Sequence, residues 1–212
     1  MKKIAIVGAG ISGLFIANLF LRNSNYQITV FEKNHSTDLN EGYGIQLSVN
    51  SVKLLNQIGF NKFKDDKKFN PDKINFYYIK SSNKICDLNI SDFNSQDCKY
   101  TTLKRSDLVN FLKIDLGDLI KTNHSISKID QENQKIKLTF ENNEIFECDN
   151  LIISDGVFSK SKSLISNNQT QTKFDKTLAI RGKIPSSQKI DCKNISLFLG
   201  PNFHQVIYPV NL

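Results

Sequence analysis

Residues 2–20 read KKIAIVGAGISGLFIANLF, and this stretch decides the fold. Residues 4–7 are apolar and short, as in a buried strand, whereas the apolar positions of residues 11–22 recur at helical spacing. Between them Gly8, Gly10 and Gly13 form a G-x-G-x-x-G turn. A strand, a glycine turn and a helix in this order are typical of a dinucleotide-binding unit, which holds phosphates at the N-terminal end of its helix.

Each glycine of the turn has a distinct expected role. Gly8 permits a tight turn, Gly10 lets the backbone approach a pyrophosphate, and Gly13 allows the helix to pack close to the strand. The stretch QITVFEK predicts a second strand, and it carries Glu32 near its end, about 20 residues downstream, where a carboxylate can accept hydrogen bonds from a ribose diol. This unit fits NAD and FAD equally well.

The bulk properties limit the class of protein. The 212 residues carry a formal net charge of +7, with 39% hydrophobic and 23% charged residues. The lysines are scattered and form no basic stripe with interleaved aromatic residues, which argues against a nucleic-acid partner. The four cysteines show no C-x-x-C spacing, so neither a zinc site nor any other metal site is predicted. No run of about 18 apolar residues is present, and we expect a cytoplasmic protein.

The rest of the chain predicts alternating strands and helices. Residues 42–60 suggest a glycine-rich turn, a short strand and a helix that ends at Gly59 in a left-handed cap. Residues 72–90 suggest two strands, and a helix begins at Ser106 or Asp107. Residues 125–154 suggest three antiparallel strands and a short apolar strand. Strand-like pieces follow in TLAIRGKI, ISLFLG and HQVIYPV, and because this last pattern is unclosed we expect the sequence to be incomplete.

Three further segments bear on the choice between NAD and FAD. The first is residues 42–47, GYGIQL, which alone reads as a loop. The second is Arg105, which can clamp a pyrophosphate with its planar fork or lie in solvent. The third is LIISDGVFSKSK, where an apolar strand delivers Asp155 and Gly156 to a turn, an arrangement that also fits a plain Asp-Gly turn.

In this order and spacing, the segments resemble the FAD-dependent aromatic-ring monooxygenase family, which includes para-hydroxybenzoate hydroxylase, salicylate hydroxylase and the ubiquinone-biosynthesis hydroxylases. The resemblance implies an α/β fold, with a Rossmann-like FAD-binding domain and its β-meander interleaved with part of a mixed-sheet substrate domain. It assigns residues 1–72 and 101–172 to the FAD-binding domain, and residues 73–100 and 173–212 to substrate-domain strands, of which the last set is incomplete.

The resemblance also implies roles for individual residues. The glycine turn would line the FAD pyrophosphate, Glu32 would bind the adenosine ribose, and Arg105 would reach the pyrophosphate or the ribityl chain. Gln46 would lie near the flavin, while Asp155 and Gly156 would form the Asp-Gly motif that helps to hold FAD and takes part in NAD(P)H use. The full set of expected cofactor-binding residues is Gly8, Gly10, Ile11, Ser12, Gly13, Glu32, Lys33, Gln46, Arg105, Asp155 and Gly156.

The implied activity is an FAD-dependent, NAD(P)H-consuming monooxygenase that uses O2 to hydroxylate an aromatic or quinone-like substrate through a flavin hydroperoxide. Two alternatives stay open: a flavin reductase or oxidase without oxygen insertion, and a non-catalytic fragment that binds nucleotide weakly or not at all. No catalytic acid or base is assigned, because holding the substrate at the flavin and excluding water requires shape more than charged side chains. His204 fits an ordinary strand position, and Tyr208 fits either the substrate cavity or ordinary sheet packing. With a membrane-held substrate, the positive charge would favour peripheral docking to an anionic surface.

The sequence departs from the family pattern at two places. Lys162 stands where the family usually has an arginine, which keeps the charge but loses the bidentate fork. The Gly-Asp motif that follows in the family, with its flavin-cradling helix, has no counterpart here. We therefore expect the chain to be the N-terminal portion of such an enzyme. The ring substrate, the choice between NADH and NADPH and the oligomeric state stay open.

Overall fold

The computed structural model describes residues 1–37, 43–166, 172–185 and 193–211, so Gly42 of the predicted turn lies outside the described residues. The helices are α1 (Ile11–Leu21), α2 (Val49–Asn56), α3 (Arg105–Lys113) and α4 (Lys160–Ile165). The strands are β1 (Lys2–Val7), β2 (Tyr26–Phe31), β3 (Gly44–Leu47), β4 (Lys68–Phe69), β5 (Lys73–Tyr78), β6 (Lys84–Asn89), β7 (Thr101–Lys104), β8 (Ile120–Lys121), β9 (Ile126–Glu132), β10 (Lys135–Phe140), β11 (Ile145–Cys148), β12 (Asn150–Ile153), β13 (Ile195–Leu199) and β14 (His204–Ile207).

The chain divides into two compact units, each built from two separate stretches of sequence. The first, here called the nucleotide unit, comprises Met1–Leu39 and Val109–Ala179. The second, here called the mixed-sheet unit, comprises Asn40–Leu108 and Ile180–Leu212. The domain boundaries expected from the sequence at residues 72, 100 and 172 stay a prediction.

A four-stranded parallel sheet in the order β12-β1-β2-β8 forms the centre of the nucleotide unit. Strand β1 lies inside this sheet, and its residues 4–7 are all buried. They are apolar because both faces of a parallel sheet are covered. In the register, Val7 pairs with Ile153 on one side and with Phe31 on the other. The carboxyl ends of three strands therefore meet at one edge, which is where ligands bind in open α/β sheets.

The helix α1 and an antiparallel meander pack against this sheet. Leu14 and Ala17 of α1 are fully buried, as the helical spacing predicts. The meander, in the order β11-β10-β9, contributes Leu138 and Phe140 to a core that also contains Phe31 of the parallel sheet. The rings of Phe31 and Phe140 lie 4.6 Å apart between centroids, so the meander is fixed by close aromatic packing.

The mixed-sheet unit holds two sheets. One has the order β14-β13-β5-β6, in which β13 and β5 run parallel and the other neighbours run antiparallel. The other is antiparallel, in the order β3-β7-β4. Gly59 has a φ of 93°, the left-handed conformation that the sequence predicts at the end of the α2 segment.

Two local predictions need correction. Residues 177–184, TLAIRGKI, were expected to be strand-like, but no strand is assigned among the described residues 172–185. Leu178, Ile180 and Ile184 are 82%, 90% and 68% exposed. An apolar pattern forms a strand only where a neighbouring strand accepts its backbone hydrogen bonds, and the pattern itself does not supply that neighbour. The helix predicted to begin at Ser106 or Asp107 begins at Arg105.

In the part of the chain that the structure describes, we find no helix with the length and apolar character needed to cross a membrane.

Asn18 provides the first testable prediction, because it is a buried polar residue on α1. Its side-chain amide donates to the carbonyl oxygens of Leu14, at 2.8 Å, and Leu112, at 2.7 Å, and thereby ties α1 to the end of α3. Replacing Asn18 with Ala leaves the Leu112 oxygen without this donor and should lower the free energy of unfolding by about 1–3 kcal/mol in urea denaturation. Asn110→Ala, at an exposed position on α3, is the control and should change it by less than about 0.5 kcal/mol. Equal effects of the two substitutions would contradict this assignment.

Candidate functional site

Gly8, the first glycine of the turn, lies against the residues that directly follow β12. Gly8 has a φ of 99°, and a Cβ at this position would lie 2.4 Å from the carbonyl oxygen of Ser154 and 2.9 Å from the Cα of Asp155. The hydroxyl of Ser154 in turn donates to the carbonyl oxygen of Val7 at 2.8 Å. The turn after β1 and the turn after β12 are thus in direct backbone contact.

The other two glycines differ in what surrounds them. A Cβ at Gly13 would lie 2.0 Å from the carbonyl oxygen of Gly8, so this glycine lets α1 pack onto the turn. A Cβ at Gly10 would meet nothing within 4 Å, so the space over Gly10 is open. Gly10 is also the N-cap of α1, and no side chain caps the helix there. The backbone N–H groups of Ile11, Ser12 and Gly13 lie in the first turn of α1, where the helix dipole favours an anion.

Glu32 follows directly on β2 and is bonded to the glycine turn. Its Oε2 accepts a hydrogen bond from the backbone N–H of Ala9 at 2.9 Å, and its Oε1 accepts one from the backbone N–H of Asn34 at 3.0 Å. A carboxylate has about four acceptor positions, so two backbone bonds leave capacity for further donors. The sequence predicts only ligand binding for Glu32, whereas the structure adds a second role, which is to hold the turn in place.

Asp155 lies at the start of the turn after β12. Its Oδ2 accepts a hydrogen bond from the backbone N–H of Ser161 at 3.1 Å, while its Oδ1 is buried and has no partner among the described residues. Burial opposes ionisation of this carboxyl, but hydrogen bonds from Ser159 and Ser161 outweigh it and hold the pKa of Asp155 below its usual range. Asp155 is therefore an ionised carboxylate with one oxygen still able to accept a donor.

One cleft joins these groups. Its volume is about 410 Å³, and Gly8, Glu32 and Asp155 all line it. The remaining lining residues are Val7, Phe31, Lys33, His124, Ser125, Ile126, Phe158, Lys160 and Ser161. The structure thus brings Gly8, Glu32, Lys33 and Asp155 of the expected set to one cleft. Its lining residues do not include Gly10, Ile11, Ser12, Gly13 or Gly156. A second cleft of about 380 Å³ adjoins it and is lined by Gly156 and Lys162, among others.

Two of the expected residues lie in the mixed-sheet unit. The side-chain Oε1 of Gln46, on β3, accepts a hydrogen bond from the hydroxyl of Tyr100 at 2.8 Å. Arg105 begins α3, and its backbone N–H donates to the carbonyl oxygen of Tyr43 at 2.8 Å. Their assignment to cofactor binding stays a prediction.

His204 lies on β14, as the sequence suggested, whereas Tyr208 follows the end of that strand at Ile207. Tyr208 packs its ring against Gly44, where an added Cβ would lie 2.6 Å from the ring, and burial raises the pKa of the Tyr208 hydroxyl. His204 is exposed on β14. Neither observation gives these side chains a catalytic role.

His124, Phe158 and Lys160 also line the cleft, although the sequence did not predict them there. His124 belongs to no local motif, and Phe158 and Lys160 follow the Asp-Gly turn without a pattern of their own. Their position depends on how the meander and α4 pack beside the parallel sheet, which no local spacing reveals. Among the described residues, no group of three or more His, Cys, Asp or Glu side chains is arranged to hold a metal ion.

Known proteins resemble this chain in sequence and in fold. Residues 6–37, which contain the glycine turn and Glu32, match the family described as an NAD(P)-binding Rossmann-like domain. The chain is 25% identical to 3-amino-4-hydroxybenzoate 2-monooxygenase of Streptomyces cremeus, over 98% of this chain and 53% of the relative. It is 24% identical to salicylate hydroxylase of Pseudomonas putida, over 98% of this chain and 51% of that enzyme.

The chain resembles the FAD-dependent aromatic monooxygenases. The crystal structure of Klebsiella pneumoniae HpxO complexed with FAD and uric acid superposes on it with a TM-score of 0.79 at 16% identity, over 98% of this chain and 53% of HpxO. This likeness confirms the predicted α/β fold with a Rossmann-like domain. The chain spans about half the length of the curated relatives it matches.

Gly10 and Gly13 give a prediction that distinguishes a closely packed position from an open one. Gly13→Ala places a Cβ against the Gly8 carbonyl and should lower the free energy of unfolding by more than about 2 kcal/mol, because backbone cannot move aside easily. Gly10→Ala, the matched control at a φ of −78°, should change it by less than about 1 kcal/mol. Urea denaturation of both variants tests this, and similar stability losses would contradict the packing described above.

The Asp155 carboxylate gives a pH-dependent prediction. Because its pKa is lower in the folded chain than in the unfolded chain, ionised Asp155 stabilises the fold above the ordinary aspartate range, and this stabilisation is lost as the pH falls through the folded pKa. Asp155→Asn keeps an acceptor for Ser161 but removes the charge. The variant should therefore be less stable than the wild type near pH 7 and should approach it below about pH 3. Asp115→Asn, at an exposed site, is the control in urea denaturation at both pH values. If the free energies of unfolding of the wild type and Asp155→Asn differ by the same amount at both pH values, the prediction is wrong.

Proposed function

We propose that the nucleotide unit binds FAD, and that the chain forms part of an NAD(P)H-consuming monooxygenase that hydroxylates an aromatic or quinone-like ring. The observation that carries this proposal is the cleft lined by Gly8, Glu32 and Asp155, together with the glycine turn in which Gly10 N-caps α1 without a side-chain hydrogen bond. The names of the relatives support the reaction class, because they are monooxygenases of hydroxybenzoate and salicylate rings.

The glycine turn and the residues of the cleft fit the parts of a flavin dinucleotide. The open space over Gly10 and the free first turn of α1 suit a pyrophosphate, since backbone N–H groups and the helix dipole stabilise negative charge there. The remaining acceptor positions of Glu32 suit the two hydroxyls of a ribose. The unpartnered Oδ1 of Asp155 suits a hydroxyl donor of the ligand.

FAD, when bound, would supply electron transfer from a nicotinamide and activation of O2, which side chains cannot perform. The contribution of this chain is to bind and orient. The bond from Ala9 to Glu32 and the contact of Gly8 with Ser154 fix the cleft before a ligand arrives, which lowers the entropic cost of binding. No side chain of the nucleotide unit is needed as a catalytic acid or base in this proposal.

Flavin binding is the direct test. The purified 212-residue chain should retain the yellow colour of FAD through gel filtration, and quenching of flavin fluorescence gives the dissociation constant. Gly10→Ala, which the packing predicts to be folded, should weaken FAD binding by roughly tenfold or more, because its Cβ enters the space proposed for the pyrophosphate. Asn110→Ala serves as the matched control. A folded chain that does not bind FAD would favour the non-catalytic alternative and refute the proposal.

The reaction requires a separate test. A polypeptide that contains this chain and consumes NAD(P)H should incorporate labelled oxygen from O2 into a phenolic product. Consumption of NAD(P)H with peroxide as the only oxygen product would favour a flavin reductase or oxidase. That result would overturn the monooxygenase assignment and leave FAD binding intact.

A further inference from the structure

His124 is a buried titratable residue that the proposed function leaves without a role. It is 8% exposed, and it lines the cleft together with Ser125 and Ile126. Its ring packs against two phenylalanines, with centroid distances of 5.4 Å to Phe31 and 4.9 Å to Phe140. A histidine held this firmly against the wall of a ligand cleft is suited to control the position of that wall.

Both ring nitrogens of His124 face hydrogen-bond acceptors. Nδ1 lies 2.6 Å from the carbonyl oxygen of Thr122, and Nε2 lies 3.1 Å from Oε2 of Glu144. A carbonyl oxygen and an ionised carboxylate can only accept, so a ring that satisfies both must carry a proton on each nitrogen. A neutral ring would leave one nitrogen lone pair directed at an acceptor, which costs the hydrogen bond and adds repulsion.

The backbone at His124 and Ser125 belongs to the cleft wall and is itself hydrogen-bonded. The backbone N–H of His124 donates to the carbonyl oxygen of Glu32 at 2.8 Å, and the carbonyl oxygen of Ser125 accepts from the backbone N–H of Glu141 at 2.8 Å. Glu144 belongs to the turn between β10 and β11, where its backbone carbonyl accepts from Phe140. The bond from His124 to Glu144 therefore joins the cleft wall to the meander.

Other charged groups also line this cleft. The Glu32 carboxylate accepts two backbone N–H groups, and Asp155 is bonded to Ser161. Lys160 of α4 forms an ion pair with Glu141, and Lys33 is exposed at the end of β2. Glu144 is thus the charged group that contacts the His124 ring itself.

We propose that His124 is a positioning residue whose doubly protonated ring, bridged between Thr122 and Glu144, holds the wall formed by Ser125 and Ile126 in the conformation that accepts the nucleotide. The identity of the nucleotide rests on the function proposed above, whereas the bridge itself does not. Loss of the ring proton breaks the bridge to Glu144, loosens the wall and weakens binding.

The test is the pH dependence of FAD binding, measured by quenching of flavin fluorescence from about pH 5 to pH 8, where histidine changes charge. In the wild type, the dissociation constant should rise by roughly fivefold to tenfold across this range as one charge-assisted hydrogen bond is lost. In Glu144→Gln the rise should disappear, because the amide can donate to an unprotonated Nε2. Glu147→Gln removes the same charge at an exposed position of the meander and should behave like the wild type.

An equal pH dependence in the wild type and in Glu144→Gln would overturn the proposal. A second measurement needs no ligand: nitrogen-15 spectra of the His124 ring should show both N–H groups near pH 5 and loss of the Nε2 proton as the pH rises. A ring without the Nε2 proton near pH 5 would refute the bridge. If the chain binds no FAD at any pH, the proposed function fails, and the ring spectra still decide the bridge.

Discussion

The cleft depends on one close backbone contact, between Gly8 at the end of β1 and Ser154 at the end of β12. The two strands are neighbours in a parallel sheet, so their carboxyl ends emerge side by side. Glycine is required at position 8 because any Cβ would overlap the Ser154 carbonyl, and the positive φ alone would already strain another residue. Asp155 follows Ser154 directly, and its Cα also lies against Gly8, so its place in the cleft depends on this contact.

A second set of interactions makes the cleft rigid. Glu32 bonds to the turn at Ala9, and its backbone carbonyl accepts from His124, so the ends of β1 and β2 and the start of β9 are joined through one residue. Aromatic packing between Phe31 and Phe140 fixes the meander behind them. A polar site bounded by such packing is preorganised, because its groups lose little conformational freedom when a ligand binds.

Local patterns were sufficient to predict much of this arrangement. Helical spacing and the glycine turn identified β1 and α1, and an apolar strand ahead of Asp155 identified the second turn, because these features depend on residues close in sequence. The bridge from His124 to Glu144 could not be predicted, since it arises from packing of the meander. The strand expected at residues 177–184 was wrong because apolar alternation does not provide a neighbouring strand. The roles of Gln46 and Arg105 stay predictions, since they depend on a ligand that local patterns do not place.

The distance in sequence between the two contacting turns has a consequence for biosynthesis. The hydroxyl of Ser154 reaches back 147 residues to the carbonyl of Val7. On the ribosome, the opening strand and its glycine turn are therefore made long before β12, which covers one edge of β1, has been translated. Until then that edge is open to pairing with any extended chain nearby. The nascent protein thus carries an unprotected apolar strand edge until β12 has been translated, and during this interval a chaperone can prevent its pairing with other chains.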